Sequence, residues 1–242
     1  MSTAGSNAST AFVTGGTGFI GGTLVELLAA DGWRVTVLHR PTSDTNRLAK
    51  LGVSLAEGSV TDAAAVERAM PEGVDTVFHV AASLSFAAAG DAEQTRTNIG
   101  GTRNVVKTAL AKHAHRLVHT SSVAAYGLHD GPIIETTRSN ASASGINYFV
   151  SKALAEAEVR KGIDAGLDAV IINPGNVMGP GDTDAWARPV RLVHAGKVPA
   201  VGGGGGSFCH VREVARAHIA ASEKGRSGER IFKAAFSAGA GE

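Results

Sequence analysis

A chain of 242 residues, 43% hydrophobic and 19% charged, has enough apolar side chains for one large globular domain, or for one domain and part of a second. A net charge of +1 gives no electrostatic reason for nucleic acid or an anionic membrane as partner, and no apolar run approaches the roughly 20 residues that span a bilayer. The small polar residues at the start lack a basic-then-apolar secretory pattern, and the lone cysteine, Cys209, excludes an internal disulfide, so a reducing cytoplasmic setting is expected.

The first predicted strand is the apolar run Ala11 to Val13, followed at once by Gly15, Gly18 and Gly21 with two residues between successive glycines. Beyond Gly18, Ile20, Leu24, Leu27 and Leu28 recur with helical period. Strand, glycine turn and helix in that order form a dinucleotide-binding turn. Gly15 allows the tight turn, Gly18 lets the main chain approach a pyrophosphate, and Gly21 lets helix and strand pack closely. Further strands are predicted at Arg34 to Leu38, Val53 to Ala56, Thr76 to Val80, Arg116 to Thr120 and Ala169 to Ile172. Helical patterns lie between or after them at about 62–70, 91–112, 147–165 and 211–223. The alternation predicts an α/β fold, a doubly wound and mostly parallel sheet with helices on both faces. Gly202 to Gly206 read as a flexible loop.

Tyr148 and Lys152 stand at i and i+4 on one face of the helix predicted over 147–165. A fixed ammonium beside a phenol favours the phenolate, which suits general acid–base work. Thr120-Ser121-Ser122 closes an apolar strand, and ligands bind at that edge of open α/β sheets. A serine there can hold a substrate oxygen while the tyrosine transfers a proton. His113, His115 and His119 are joined by no Asp, Glu or Cys at ligand spacing, so no metal site is expected. Glu156 and Glu158 with Arg160 and Lys161 read as a solvated helix face with local ion pairs.

From about Phe12 to about Ile231 the chain resembles the extended short-chain dehydrogenase/reductase family, most closely its dihydroflavonol-reductase-like branch. The resemblance is carried by Thr14-Gly15-x-x-Gly18-x-x-Gly21, His79-Val80-Ala81-Ala82, Thr97-Asn98-x-x-Gly101-Thr102 and Thr120-Ser121-Ser122. Tyr148-x-x-x-Lys152 and Asn173-Pro174-Gly175-Asn176-Val177-Met178-Gly179-Pro180 complete it. It implies a Rossmann-type dinucleotide domain over 1–175 and a small substrate lobe over 176–242, with the helix near 211–223 returning to the core. It implies Ser122, Tyr148 and Lys152 as the catalytic set, Ser122 in preference to Ser121 because it stands four residues before Tyr126. Lys152 would also bind the nicotinamide ribose. Cofactor contacts are implied at Gly15, Thr17, Gly18, Phe19, Ile20, Ser59, Val60 and Thr120. Val80, Ala81 and Ala82 would line the adenosine ribose, and Asn98 would support the lysine through water. Pro174, Gly175, Asn176 and Val177 would cover the nicotinamide.

The second strand ends Leu38-His39-Arg40, without the acid that holds an NAD ribose, and Arg40 suits a 2′-phosphate. NADP is therefore expected in preference to NAD. The expected activity is NADPH-dependent reduction of a ketone or aldehyde with Tyr148 as proton donor. A nucleotide-sugar epimerase or dehydratase and a non-catalytic NADP-binding regulator are the alternatives. Val123 stands where a dehydratase of the family has an acid. The resemblance also implies a homodimer built from the helices near 91–112 and 147–165. Three departures stand out: Ser59 and Glu213 replace an Asp, and the chain stops at Glu242 where relatives run on, so an incomplete, shortened substrate lobe is expected.

Overall fold

The structure is a computed structural model that describes residues 8–84, 90–183, 186–197, 206–233 and 236–238. Strand β1 (Thr10–Thr14) leads through the glycine turn into α1 (Phe19–Ala30). Then come β2 (Arg34–His39), α2 (Asn46–Ala49), β3 (Ser54–Glu57), α3 (Ala63–Ala69) and β4 (Thr76–His79). Helix α4 (Asp91–Thr95) runs through a π-helical turn at Arg96–Gly101 into α5 (Thr102–Ala111), which precedes β5 (Arg116–Thr120). Helix α6 (Asn147–Asp164), β6 (Ala169–Pro174), β7 (Asn176–Met178) and α7 (Ala187–His194) follow. The described chain closes with β8 (Gly206–His210), α8 (Val211–Lys224), β9 (Arg230–Lys233) and β10 (Phe236–Ala238). None of the described helices is long and apolar enough to cross a membrane.

Seven strands form one sheet in the order β3-β2-β1-β4-β5-β6-β9, every pair parallel. Both faces are buried, which is why its strands read as near-continuous apolar runs. On one face Phe12, Val77, Leu117 and Ile171 pack against α3, α5 and α6 through Val66, Val105 and Val159. On the other, Val13, Val37, Phe78 and Val118 meet Leu24, Val25 and Leu28 of α1 and Ala215 and Ala221 of α8. The α/β doubly wound architecture is thus as the alternation predicts. The strand order reverses between β1 and β4, where Thr14 sits in register with both Leu38 and His79 and a crevice opens at the carboxyl ends.

Three details differ from the sequence-based expectation. The single helix predicted over 91–112 contains the π turn, which inserts a residue and shifts the stripe facing α6. Gly206 is the first residue of β8 and not part of a loop, while Gly202 to Gly205 lie outside the described residues. A small second sheet, β10-β8-β7, and the edge strand β9 were too short and too polar to show a period of two.

Arg116 fastens the β5 end of the sheet to α8. Its guanidinium donates to Asp168 Oδ2 at 2.6 and 3.0 Å and to the last carbonyls of α8, Ala221 and Ser222, at 3.2 and 3.1 Å. Ala221 O also accepts from Gly225 N at 3.1 Å, and both carbonyls lie in the last turn, where helical partners run out. Arg116→Ala should lower unfolding stability by about 1–3 kcal/mol in urea titrations; a change within measurement error would show that water satisfies these carbonyls equally well.

Candidate functional site

The crevice is a groove of about 540 Å³ running along the carboxyl ends of the strands. At one end lies the glycine turn. Gly15 adopts φ +74°, and a Cβ there would lie 2.6 Å from Ala81 N, so only glycine lets the two chains pass. A Cβ on Gly21 would run into the Gly15 carbonyl oxygen. Gly18 caps α1 with no side-chain hydrogen bond, and the first turn of the helix carries no acid. The unpaired N–H groups there face the groove as a ready anion site.

Of the residues singled out in the sequence, Gly15, Thr17, Gly18, Phe19, Ile20, Arg40, Ser59, Val60, Val80, Ala81, Ala82, Thr120, Tyr148 and Lys152 all line this one groove. Ser43, Thr61, Glu93 and Arg96 line it too and were missed, because they sit in turns, on a five-residue helix and on a π segment with no periodic signal. Ser59 Oγ lies 2.8 Å from Thr61 Oγ1, a short polar pair in place of a carboxylate. Ser122, Asn98 and Pro174 to Val177 are outside the lining, which takes in Ser121 instead of Ser122. Asn98 is buried and fully engaged: its amide donates to Ser83 O and Ser151 Oγ and accepts from Ser83 N. It fastens the wall of the groove to α6 and makes no direct hydrogen bond to Lys152. Pro174 ends β6, and Asn176 and Val177 pair with β8.

Tyr148 and Lys152 line the groove beside Thr120 and Ser121, and Ser122 adjoins them through Tyr148. Ser122 accepts from Ala124 N at 3.1 Å, leaving its own hydroxyl proton free for Tyr148, with which it shares a hydrogen bond. The Tyr148 phenol is pushed up by burial, and the Ser122 hydrogen bond opposes this only in part. The sequence-based expectation that the lysine brings the phenol down is thus reversed: burial dominates. Lys152 Nζ donates to Thr120 O at 2.9 Å, and burial brings its pKa down to about 8, with Glu156 pulling the other way.

Below the groove lies a layer of buried polar groups. His79 bridges Thr14 Oγ1 at 2.7 Å and Thr102 Oγ1 at 2.9 Å, and its ring lies 5.2 Å from that of His119. His218 of α8 meets Thr120 Oγ1 at 2.7 Å. Burial takes His79 to about 3 and His218 to about 4, and holds His119 well below its usual value, so all three are neutral near pH 7. His115 is exposed and faces Asp75 at 3.3 Å. One reading needs correction: Glu156 is not on a solvated face but has no exposed surface, and Glu158 is also buried, paired with Arg103 and Lys161. The signal was present, since 148, 152 and 156 fall on one stripe of α6.

The sequence model of the family described as NAD dependent epimerase/dehydratase matches residues 11–235. The chain is 33% identical over 226 residues to the sterol demethylase protein B of Methylococcus capsulatus, covering 92% of this chain and 69% of that protein. It is 34% identical over 221 residues to a provisionally named dihydroflavonol 4-reductase of Synechocystis sp., covering 89% of this chain and 64% of that one. It therefore spans about two thirds of the length of these relatives. The crystal structure of gox2253 matches with a TM-score of 0.88 at 34% identity, over 95% of this chain and 71% of that one.

The close approach at Gly15 can be separated from backbone strain. Gly32 has φ +80° with nothing within 4 Å of a Cβ, so Gly32→Ala introduces the strain alone. Gly15→Ala should cost about 1–3 kcal/mol more, read from paired denaturation curves. Equal costs would mean that the crevice gives way without penalty.

Proposed function

The chain belongs to the NAD dependent epimerase/dehydratase family, and on that premise we propose that it reduces a ketone or aldehyde to an alcohol with NADPH. The observation that carries this reading is that Tyr148 and Lys152 line the same groove as a glycine cradle, with Ser122 hydrogen-bonded to Tyr148. The cradle fits a pyrophosphate, for the start of α1 has no side-chain cap and Gly15 lets the turn lie against the chain leaving β4. Phe19 and Ile20 open the helix there, Ser59, Val60 and Val80 to Ala82 would wall the adenosine, and Arg40 with Ser43, which also line the groove, would hold a 2′-phosphate. A nicotinamide nucleotide supplies the hydride when bound.

The protein's own part is to orient the carbonyl and deliver a proton. The Ser122 hydroxyl holds the substrate oxygen. The Tyr148 phenol, kept protonated by its burial, gives its proton to that oxygen as negative charge develops. Lys152, one helical turn from Tyr148 and fixed to Thr120 O, offsets the charge left on the phenolate. A raised phenol keeps the Tyr148 proton in place for the donor role. Val123 beside Ser122 supplies no acid for dehydration, and an arginine at the end of β2 suits NADPH better than the NAD of an epimerase. The reductase name of the Synechocystis relative agrees with this reading.

Two substitutions test it. Tyr148→Phe removes the proton donor and no phosphate contact, so kcat should fall by about 100-fold or more while NADPH affinity, read by nucleotide fluorescence, is nearly unchanged. Substantial retained turnover with carbonyl compounds would disprove the mechanism. Arg40→Ala should weaken NADPH about tenfold or more and leave NADH almost untouched. Parallel losses for the two nucleotides would remove Arg40 from the 2′-phosphate site.

A further inference from the structure

Glu156 has no role in the chemistry above, yet it is the most heavily partnered side chain near it. Its carboxylate is fully buried and takes four donors. Oε1 receives Ser121 Oγ at 2.6 Å and Asn173 Nδ2 at 2.7 Å, and Oε2 pairs with Arg160 at 3.0 Å and Arg230 at 2.7 Å. The same Asn173 amide donates to Ser122 O at 3.0 Å. Three successive residues at the end of β5 are thereby held from α6 and β6. Lys152 takes the carbonyl of Thr120, Glu156 takes the hydroxyl of Ser121, and Asn173, oriented by Glu156, takes the carbonyl of Ser122.

We propose that Glu156 is a positioning residue of the proton-transfer site, fixing the main chain that carries Ser122 and supplying the counter-charge of Lys152. This rests on the reductase reading for its kinetic consequences, though not for its electrostatic ones. The groups facing Lys152 narrow the choice. Tyr148 on the same helix is held protonated, His79 from β4 and His119 from β5 are held neutral, and His218 from α8 lies behind His119, neutral as well. Glu156 is the charged neighbour that raises Lys152 against its desolvation. On its outer side the carboxylate is balanced by Arg160, partly exposed, and by Arg230, which stacks 4.7 Å over the Tyr126 ring.

The sign follows from the charges. Without the carboxylate, desolvation acts on Lys152 unopposed and the ammonium is lost at lower pH. With the carboxylate but without Arg160, Lys152 feels more of the negative charge and keeps its proton to higher pH. The experiment is ¹³C NMR of ε-labelled lysine in nucleotide-free protein, with the Lys152 signal assigned from Lys152→Arg, beside steady-state kinetics with NADPH. Wild type should titrate near 8, and Glu156→Gln should lower that midpoint by about one unit. In the same variant kcat should fall about tenfold with KM for the carbonyl compound little changed, the alkaline limb of the pH profile should move down in step, and Glu156→Asp should recover part of the loss. Arg160→Gln should move the Lys152 midpoint upward. Should Glu156→Gln fail to fold, the sign of the Arg160→Gln shift decides. An unmoved Lys152 midpoint in folded Glu156→Gln, or no upward shift in Arg160→Gln, overturns the proposal. Wild type inactive on every carbonyl compound overturns the reductase reading instead, and the titration without nucleotide still judges Glu156.

Discussion

The turn after β1 passes so close to the chain leaving β4 that a methyl group on Gly15 would lie 2.6 Å from Ala81 N and 2.8 Å from Ala81 Cα. That contact is possible only because β1 and β4 are neighbours in register, with the connections departing to opposite sides of the sheet. The crevice, the uncapped start of α1 and the wall formed by Val80 to Ala82 all follow from it. A bulkier residue at 15 would push the turn outward and remove the space in which a pyrophosphate can sit against main-chain N–H groups.

A second constraint acts from below. The sheet is buried on both faces, yet its carboxyl ends carry Thr14, His79, His119, Thr120 and Asn173, all buried. Such groups are tolerated where they find partners, and most do so through one another: Thr14 with His79, His79 with Thr102, Thr120 with His218. A layer of this kind is rigid, because a shift of one member leaves another unpaired. It also excludes charge from the histidines, so the ionic groups under the groove reduce to Lys152 and the Glu156 cluster. An ammonium buried this deeply is costly, and the carboxylate one turn further along α6 offsets part of that cost.

Tyr148 illustrates how burial and charge compete within one site. A lysine four residues along the helix argues for a lowered phenol, and that argument is correct for an exposed pair. In the folded protein the phenol is desolvated, its lysine is turned toward Thr120 O, and the balance goes the other way. The outcome is a phenol that holds its proton near pH 7.

The sequence alone determined the doubly wound, mostly parallel α/β architecture and much of the groove's lining. Long apolar strands, the spacing of Gly15, Gly18 and Gly21, and the pairing of Tyr148 with Lys152 are local patterns, set by periods of two and 3.6 residues and by the absence of a Cβ. Glu156, Arg230 and Asn173 could not be brought together that way. They lie on three elements separated by up to 74 positions in the chain, and β9 carries no alternating pattern to announce that it pairs with β6. Charge on a helix reads from sequence as a solvated face by default, and only the packing of α6 against the 3₁₀ turn at Val123–Tyr126 and the strand ends buries Glu156. Burial depends on what the rest of the chain puts on top of a residue, and so does every pKa in this site. Local spacing chose the residues; tertiary packing decided their protonation.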